Sequence, residues 1–220
     1  HTRLRTVTGV QTCALPIYTK VDAELQGLVL IEELNCVACH ASDAALADRS
    51  KKAPRLAAVG SRVNPVHVEA FIRDPQGTKP GTTMPDLLAR FGDAEKKDAA
   101  AALTHFLLSL RRNDFSPQPP DPVAAKLGEK LFHSRGCAAC HSPRDAKGVE
   151  TMAANSAPLG ALEKKYSQRS LVEFLRQPHA SRPSGRMPDM RLQWQDAERI
   201  AHYLLRDTRV PGYLAFTLYR

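Results

Sequence analysis

A five-residue pattern, Cys-x-x-Cys-His, occurs twice in this chain and strongly limits what the chain can fold around. The first copy lies in ELNCVACH, residues 33–40, and the second in SRGCAACH, residues 134–141. Two cysteines three positions apart with an adjacent histidine form the attachment signature for haem c. On one helical turn each thiol can form a thioether with a haem vinyl group, and the histidine projects its imidazole toward the iron. The sequence therefore predicts two covalent haems.

The two motifs also identify the predicted haem contacts. The thioether cysteines would be Cys36, Cys39, Cys137 and Cys140, and the axial ligands would be His40 and His141. Two other kinds of chemistry stay open from the residues alone. A redox dithiol normally accompanies a βαβ pattern, which this sequence does not show. A Cys₄ zinc site would join Cys39 to Cys137 across 97 intervening residues, far more than the usual zinc-ribbon spacing.

The likeness between the two halves extends beyond the motifs and indicates an internal duplication. VEAFIRDP, residues 68–75, matches LVEFLRQP, residues 171–178. Each half also has a glycine nine residues before the first motif cysteine, an Ala-Pro pair after the motif, and a methionine that begins Met-Pro-Asp. The paired positions are Gly27 and Gly128, Pro54 and Pro158, and Met84 and Met187.

Helical periodicity predicts an all-α fold. Apolar residues recur at helical spacing before each motif and again near the end of each half. These stripes are Leu25, Leu28 and Val29; Leu103, Phe106, Leu107 and Leu110; Leu127, Leu131 and Phe132; and Ile200, Tyr203 and Leu204. We expect all of them to face inward, with the first helix of each half packed against the last. Residues 113–122 contain four prolines, cannot continue a helix and predict a stiff, extended linker.

A methionine is the predicted second axial ligand in each half. Met84 and Met187 both precede proline, which disfavours helical backbone, so both are expected on loops. Methionine–histidine ligation is a recognised haem arrangement that raises the reduction potential. Met152 and Met190 are expected to be packing residues. The histidines that compete as sixth ligands are His67, His105, His133, His179 and His202.

Groups that would surround the haems are also predicted. A metal-ligating histidine usually donates its other ring N–H to a nearby acceptor. The backbone carbonyls of Pro54 and Pro158 are the candidates for this role. Arg62, Lys165 and Tyr166 are candidates for contact with haem propionates, and solvated surface positions suit them equally well.

With these residues, the chain resembles tandem class I c-type cytochromes over about residues 20–207. The resemblance implies an all-α fold in which the N- and C-terminal helices of each domain cross and loops enclose a haem. It implies cofactor-binding roles for Cys36, Cys39, His40, Met84 and Pro54, and for Cys137, Cys140, His141, Met187 and Pro158. Residues 60–87 also look like cytochrome domains found inside large multidomain bacterial proteins.

The expected domain organisation follows the duplication. It comprises cytochrome c domain 1 at 18–112, the Pro-rich linker at 113–122, cytochrome c domain 2 at 123–207, and a tail at 208–220. Residues 1–17 resemble the translation of a common sequencing-adapter oligonucleotide, so we set them aside and expect Cys13 to pair with nothing. The tail is expected to form a strand over 213–219, as the start of a truncated further domain.

Electron transfer is the function that these features favour. The expected protein is a diheme c-type cytochrome that transfers single electrons, without catalytic residues of its own. Two alternatives stay open: a diheme peroxidase-type enzyme, which needs an open or displaceable coordination site, and an electron-relay module of a larger oxidoreductase. Because bacteria attach haem c outside the cytoplasmic membrane, the resemblance implies a periplasmic or otherwise exported protein.

Charge and hydropathy bear on the partners. The formal net charge is +8, and no basic run is interleaved with aromatic residues, so nothing indicates nucleic-acid binding. No apolar run in the printed sequence has the length of a transmembrane helix. Redox partner proteins, which the sequence does not identify, are the expected partners.

Overall fold

The computed structural model describes residues 22–34, 36, 40, 53–111, 113–142, 145 and 156–210. Every regular element in these ranges is a helix and none is a strand, so an all-α fold is confirmed for this part of the chain. The same ranges contain no helix that is both long enough and apolar enough to cross a membrane. The expected strand at 213–219, the segment 1–17 with Cys13, and Cys39 and Met152 lie outside the described residues.

The helices before and after the proline-rich segment follow one order. Those before it are α1 (Ala23–Glu33), α2 (Val59–Arg62), α3 (Pro65–Arg73), α4 (Pro75–Thr78) and α5 (Asp93–Ser109). Those after it are α6 (Pro122–Ser134), α7 (Gln168–Arg176), α8 (Pro178–Ser181) and α9 (Trp194–Leu204), with short 3₁₀ turns at Cys137–Ala139 and Leu162–Lys164. We refer to the residues of α1 to α5 as the first block and those of α6 to α9 as the second block.

Local sequence signals set where the first helix of each block begins. The Asp22 carboxylate accepts hydrogen bonds from two backbone amides of the first turn of α1, each at 3.0 Å. Asp121 does the same for α6, at 2.7 Å and 3.1 Å. Pro122 then occupies the first position of α6, where its missing N–H is not needed. The equivalent helices of the two blocks are therefore capped in the same way.

Buried apolar side chains form two separate cores. In each block the first helix crosses the last, α1 on α5 and α6 on α9, and the middle helix α3 or α7 packs against the same last helix. The largest side chains of the first core are Leu30, Ile31, Leu88, Leu103, Phe106 and Leu107. Those of the second are Phe132, Tyr166, Leu171, Leu175, Ile200, Tyr203 and Leu204. The expected pairing of first and last helices is present in both blocks.

The first helices bury a different face from the one that periodicity predicted. Leu25 is 43% exposed and Leu127 is 41% exposed, so the expectation that both face inward is wrong. A glycine sets the contact instead: a Cβ on Gly27 would lie 2.3 Å from the Ala102 carbonyl oxygen of α5. Backbone contact at this point turns the residues three and four positions later into the core, and Leu25 away from it.

Replacement of Gly128 by alanine is expected to lower the free energy of unfolding of the second block by about 3 kcal/mol, the upper end of usual overpacking costs. An added Cβ would lie 1.9 Å from the Arg199 carbonyl oxygen, so α6 would have to move off α9. Urea unfolding followed by circular dichroism measures the loss. Gly92→Ala is the control, because its Cβ would have 3.7 Å to its nearest neighbour. Equal losses in the two variants would contradict the proposed close crossing.

Candidate haem centres

The second Cys-x-x-Cys-His motif forms a single tight turn directly after α6. Gly136 adopts a positive φ of 80°, which starts the 3₁₀ turn Cys137–Ala139. The amides of Cys140 and His141 both donate to the Cys137 carbonyl oxygen, at 3.2 Å and 2.9 Å. Cys137 packs against the second core while Cys140 is exposed, and both carry free thiols. The turn therefore presents two thiols and an imidazole over a short length of backbone.

The first motif has the same spacing where the structure describes it. The His40 amide donates to the Cys36 carbonyl oxygen at 3.0 Å, a bond that spans four residues, as in the second motif. Cys36 packs against the first core, directly after α1 ends. Helices α1 and α6 thus deliver their motifs to equivalent places, beside the core of their own block.

Both motif histidines are oriented by a backbone carbonyl. His40 Nδ1 lies 2.6 Å from the Pro54 carbonyl oxygen, and His141 Nδ1 lies 2.9 Å from the Ala157 carbonyl oxygen. A carbonyl oxygen only accepts hydrogen bonds, so Nδ1 must carry the proton in each ring. Nε2 then keeps its lone pair, which is the form that ligates a metal. The cysteines and histidines of the motifs therefore fit a haem c.

The acceptor in the second block differs from the expected one. Ala157 provides the carbonyl, not Pro158, so the prediction for Pro158 is corrected by one residue. The Ala157 amide donates to the Cys140 carbonyl oxygen at 2.8 Å, which fixes Ala157 beside the motif. The interval from the histidine to the acceptor is 14 residues in the first block and 16 in the second, so the Ala-Pro pairs do not align with the bonds.

The two candidate methionine ligands lie outside helices. Met84 is partly buried in the extended segment 82–86, and its amide donates to the Thr82 hydroxyl at 3.3 Å. Met187 is partly buried against the second core, between α8 and α9. Met190 is 38% exposed, so the expectation that it packs inside is wrong. The loops that carry Met84 and Met187 leave each side chain in contact with its block.

Most of the competing histidines are engaged elsewhere. His202 Nδ1 accepts from the Asp121 amide at 3.0 Å, which ties α9 to the start of α6. His179 Nε2 lies 3.2 Å from the Gly185 carbonyl oxygen. His133 is exposed on α6, and His105 is buried on α5. Within the described ranges, no three His, Cys, Asp or Glu side chains are grouped as a metal site of their own.

The fifth histidine, His67, lies near a group of cations. Burial is the main cause that lowers the pKa of His67 to about 4, so its imidazole is neutral near pH 7. The charges of Lys165, Arg182 and Lys79 contribute to the same shift. Burial likewise lowers the pKa of Lys165 to about 7, with contributions from Arg182, Lys79 and Arg62.

Some of these residues escaped the sequence analysis. Lys79 and Arg182 were not singled out, although each follows the proline at the start of α4 or α8 by four residues. Their equivalent positions in the duplication were a usable signal. Ala157 was missed because the carbonyl was assigned by analogy with Pro54, and a carbonyl leaves no mark on residue type.

Comparison with known proteins identifies a c-type cytochrome domain in the second half of the chain. The family model described as Cytochrome c matches residues 125–206, which contain the second motif. Cytochrome c oxidase subunit 2 of Bacillus subtilis (strain 168) is 32% identical over 100 residues, covering 41% of this chain and 27% of that protein. The chain thus spans little more than a quarter of that relative's length. No solved structure matches the chain significantly.

The family match and the geometry agree on the kind of chemistry. A cytochrome c domain supports haem-based electron transfer, with iron held in haem c. His141 and both cysteines of its motif lie within the matched residues. A second haem in the first block goes beyond this match.

Proposed function

We propose that the chain is a diheme c-type cytochrome that transfers single electrons, with one covalent haem in each block and histidine–methionine ligation of both irons. The observation that carries the proposal is the orientation of His40 and His141. Each has Nδ1 bonded to a backbone carbonyl and follows its first motif cysteine by four residues. Two blocks with this arrangement support two centres.

The role of each group follows from its chemistry. The bound haem iron supplies a one-electron change between ferrous and ferric states. Cys36 with Cys39, and Cys137 with Cys140, would anchor the two groups covalently. Met84 and Met187 would add the sulfur ligands that raise the reduction potentials. The remaining polypeptide would bury the centres and fix the two imidazoles.

The tandem arrangement is supported by the repeated element order and by the two cores. We propose the domain boundaries 18–112 and 123–207, with 113–122 as a linker. Haem attachment of this kind implies export, so we propose a periplasmic or otherwise exported location and a redox protein as partner. The identity of the tail 208–220 as the start of a further domain stays a prediction.

A relay role within a larger oxidoreductase is the second candidate. One observation favours it: the similar segment in the Bacillus subtilis protein is about a quarter of a chain named as a cytochrome c oxidase subunit. In that case the two haems would pass electrons to a catalytic centre outside the printed sequence. Electron transfer by the two blocks is common to both candidates.

Carbon monoxide binding separates a carrier from a peroxidase-type enzyme. We expect the reduced, fully matured protein to bind carbon monoxide slowly and incompletely, because both irons have six protein and porphyrin ligands when the two methionines are bound. Absorption spectra recorded over time after mixing provide the measurement, with a parallel addition of hydrogen peroxide to the oxidised protein. Rapid and stoichiometric binding at one iron would favour the peroxidase-type alternative.

A further inference from the structure

Four cations meet where the two blocks touch. They are Arg62, Lys79, Lys165 and Arg182, and we refer to them as the junction cluster. Two backbone hydrogen bonds join the blocks at this place: the Asn64 amide donates to the Lys165 carbonyl oxygen, and the Arg55 amide donates to the Ser181 carbonyl oxygen, both at 2.9 Å. Helix α2 packs on α7 at the same junction.

The junction cluster brings equivalent positions of the duplication together. Arg62 and Lys165 are separated by 103 residues, and so are Lys79 and Arg182. The same interval relates Met84 to Met187. One surface of the first block therefore faces the matching surface of the second, and each contributes two positive charges.

The described residues do not neutralise these charges. None of the four cations forms an ion pair with a carboxylate in the described part of the chain. The Arg182 guanidinium donates to the Tyr166 hydroxyl at 3.2 Å, and the Lys165 ammonium lies 5.1 Å from the centre of the same ring. Arg62 donates to the carbonyl oxygens of Arg55 and Ala57. Partly buried like charges that face one another favour an anion between them.

The neighbours of the junction cluster indicate where that anion comes from. Arg55 and Ala57 directly follow Pro54, whose carbonyl orients His40. Tyr166 belongs to the second core, against which Cys137 and Met187 also pack. The cluster therefore borders both candidate haem centres. Because matching positions of both blocks supply the cations, the anion is best supplied by a group that each block holds.

We propose that the junction cluster is a shared carboxylate site, which takes propionate groups of the haems held by both blocks. This inference rests on the proposed function. A haem carries two propionate carboxylates, so two haems would supply as many negative charges as the cluster has cations. Each cation of the cluster would then act on both haems, not only on the haem of its own block.

Reduction potentials test the shared site in the matured full chain. Lys165→Gln removes one positive charge that favours an added electron. We expect it to lower the equilibrium constant for reduction of both haems, each by about threefold to tenfold; for a one-electron couple tenfold corresponds to 59 mV. Lys79→Gln, at an exposed position, is expected to do the same and serves if the first variant does not mature. The potentials are measured by spectroelectrochemical titration.

Matched controls and a phosphate arm make the outcomes distinct. Lys164→Gln and Lys97→Gln remove exposed charges outside the cluster and are expected to move neither potential. A shift confined to one haem, or one no larger than in these controls, would overturn the shared site. Added inorganic phosphate should leave the unaltered protein's potentials unchanged at constant ionic strength; a change would mean that solution anions occupy the cluster and would also overturn it. Intact mass counts the haems separately, so that failure here leaves the proposed function standing.

Discussion

Replacement of Met187 by alanine is expected to lower the reduction potential of the second haem by roughly 0.1–0.3 V, within the ~0.8 V range that axial ligands span. A thioether sulfur stabilises ferrous iron, so its loss favours the ferric state. Met187 lies on a loop and packs only partly against the second core, so its truncation should leave the fold intact. A redox titration of the matured protein measures the shift, and circular dichroism checks the fold.

The control for this experiment is a nearby methionine in a different setting. Met190 lies three residues further along and is 38% exposed, so Met190→Ala is expected to leave both potentials unchanged. Met84→Ala should reproduce the large shift, at the first haem. If Met187→Ala and Met190→Ala have the same potentials, a different side chain provides the sixth ligand in the second block.

Replacement of both Cys137 and Cys140 by alanine is expected to remove one covalent haem and leave the other. Each thioether needs a motif thiol, and the two blocks have separate cores, so the first block can mature without the second. Mass spectrometry under denaturing conditions gives the number of haems per chain. Variants of Cys36 and Cys39 together should show the same loss at the other motif.

The two variants also distinguish a diheme protein from a single-haem one. If the chain carries one haem, on the family-matched second block, the Cys137 and Cys140 variant will have none and the Cys36 and Cys39 variant will keep it. Ser142→Ala, directly after the second motif, is a control that retains both motifs and should keep the haem count of the unaltered protein.

Much of the helical fold could be predicted from the sequence, because apolar spacing reports helices that bury one face. The stripes on α5 and α9 were predicted in this way, and Phe106 and Ile200 lie in the cores as expected. The stripe on α1 was wrong at Leu25. Hydropathy does not register a glycine as a contact, yet Gly27 lets the backbones of α1 and α5 touch and thereby selects the buried face.

The candidate site shows the same division between local and long-range information. The cysteines and histidine of each motif are neighbours in sequence, so that pattern alone could indicate them. The acceptor for His141 depends on the path of a 16-residue interval, which no residue type specifies. The junction cluster depends on how two blocks meet, and Lys79 and Arg182 give no local sign of lying at a contact between them.

The number of covalent haems on the unaltered chain is the most direct test of the central claim. The chain should be expressed together with haem-attachment machinery, purified, denatured and weighed intact. We predict the mass of one polypeptide plus two haems. A mass with one haem or none, from a preparation in which a known c-type cytochrome matures fully, would contradict the claim that each block holds its own haem.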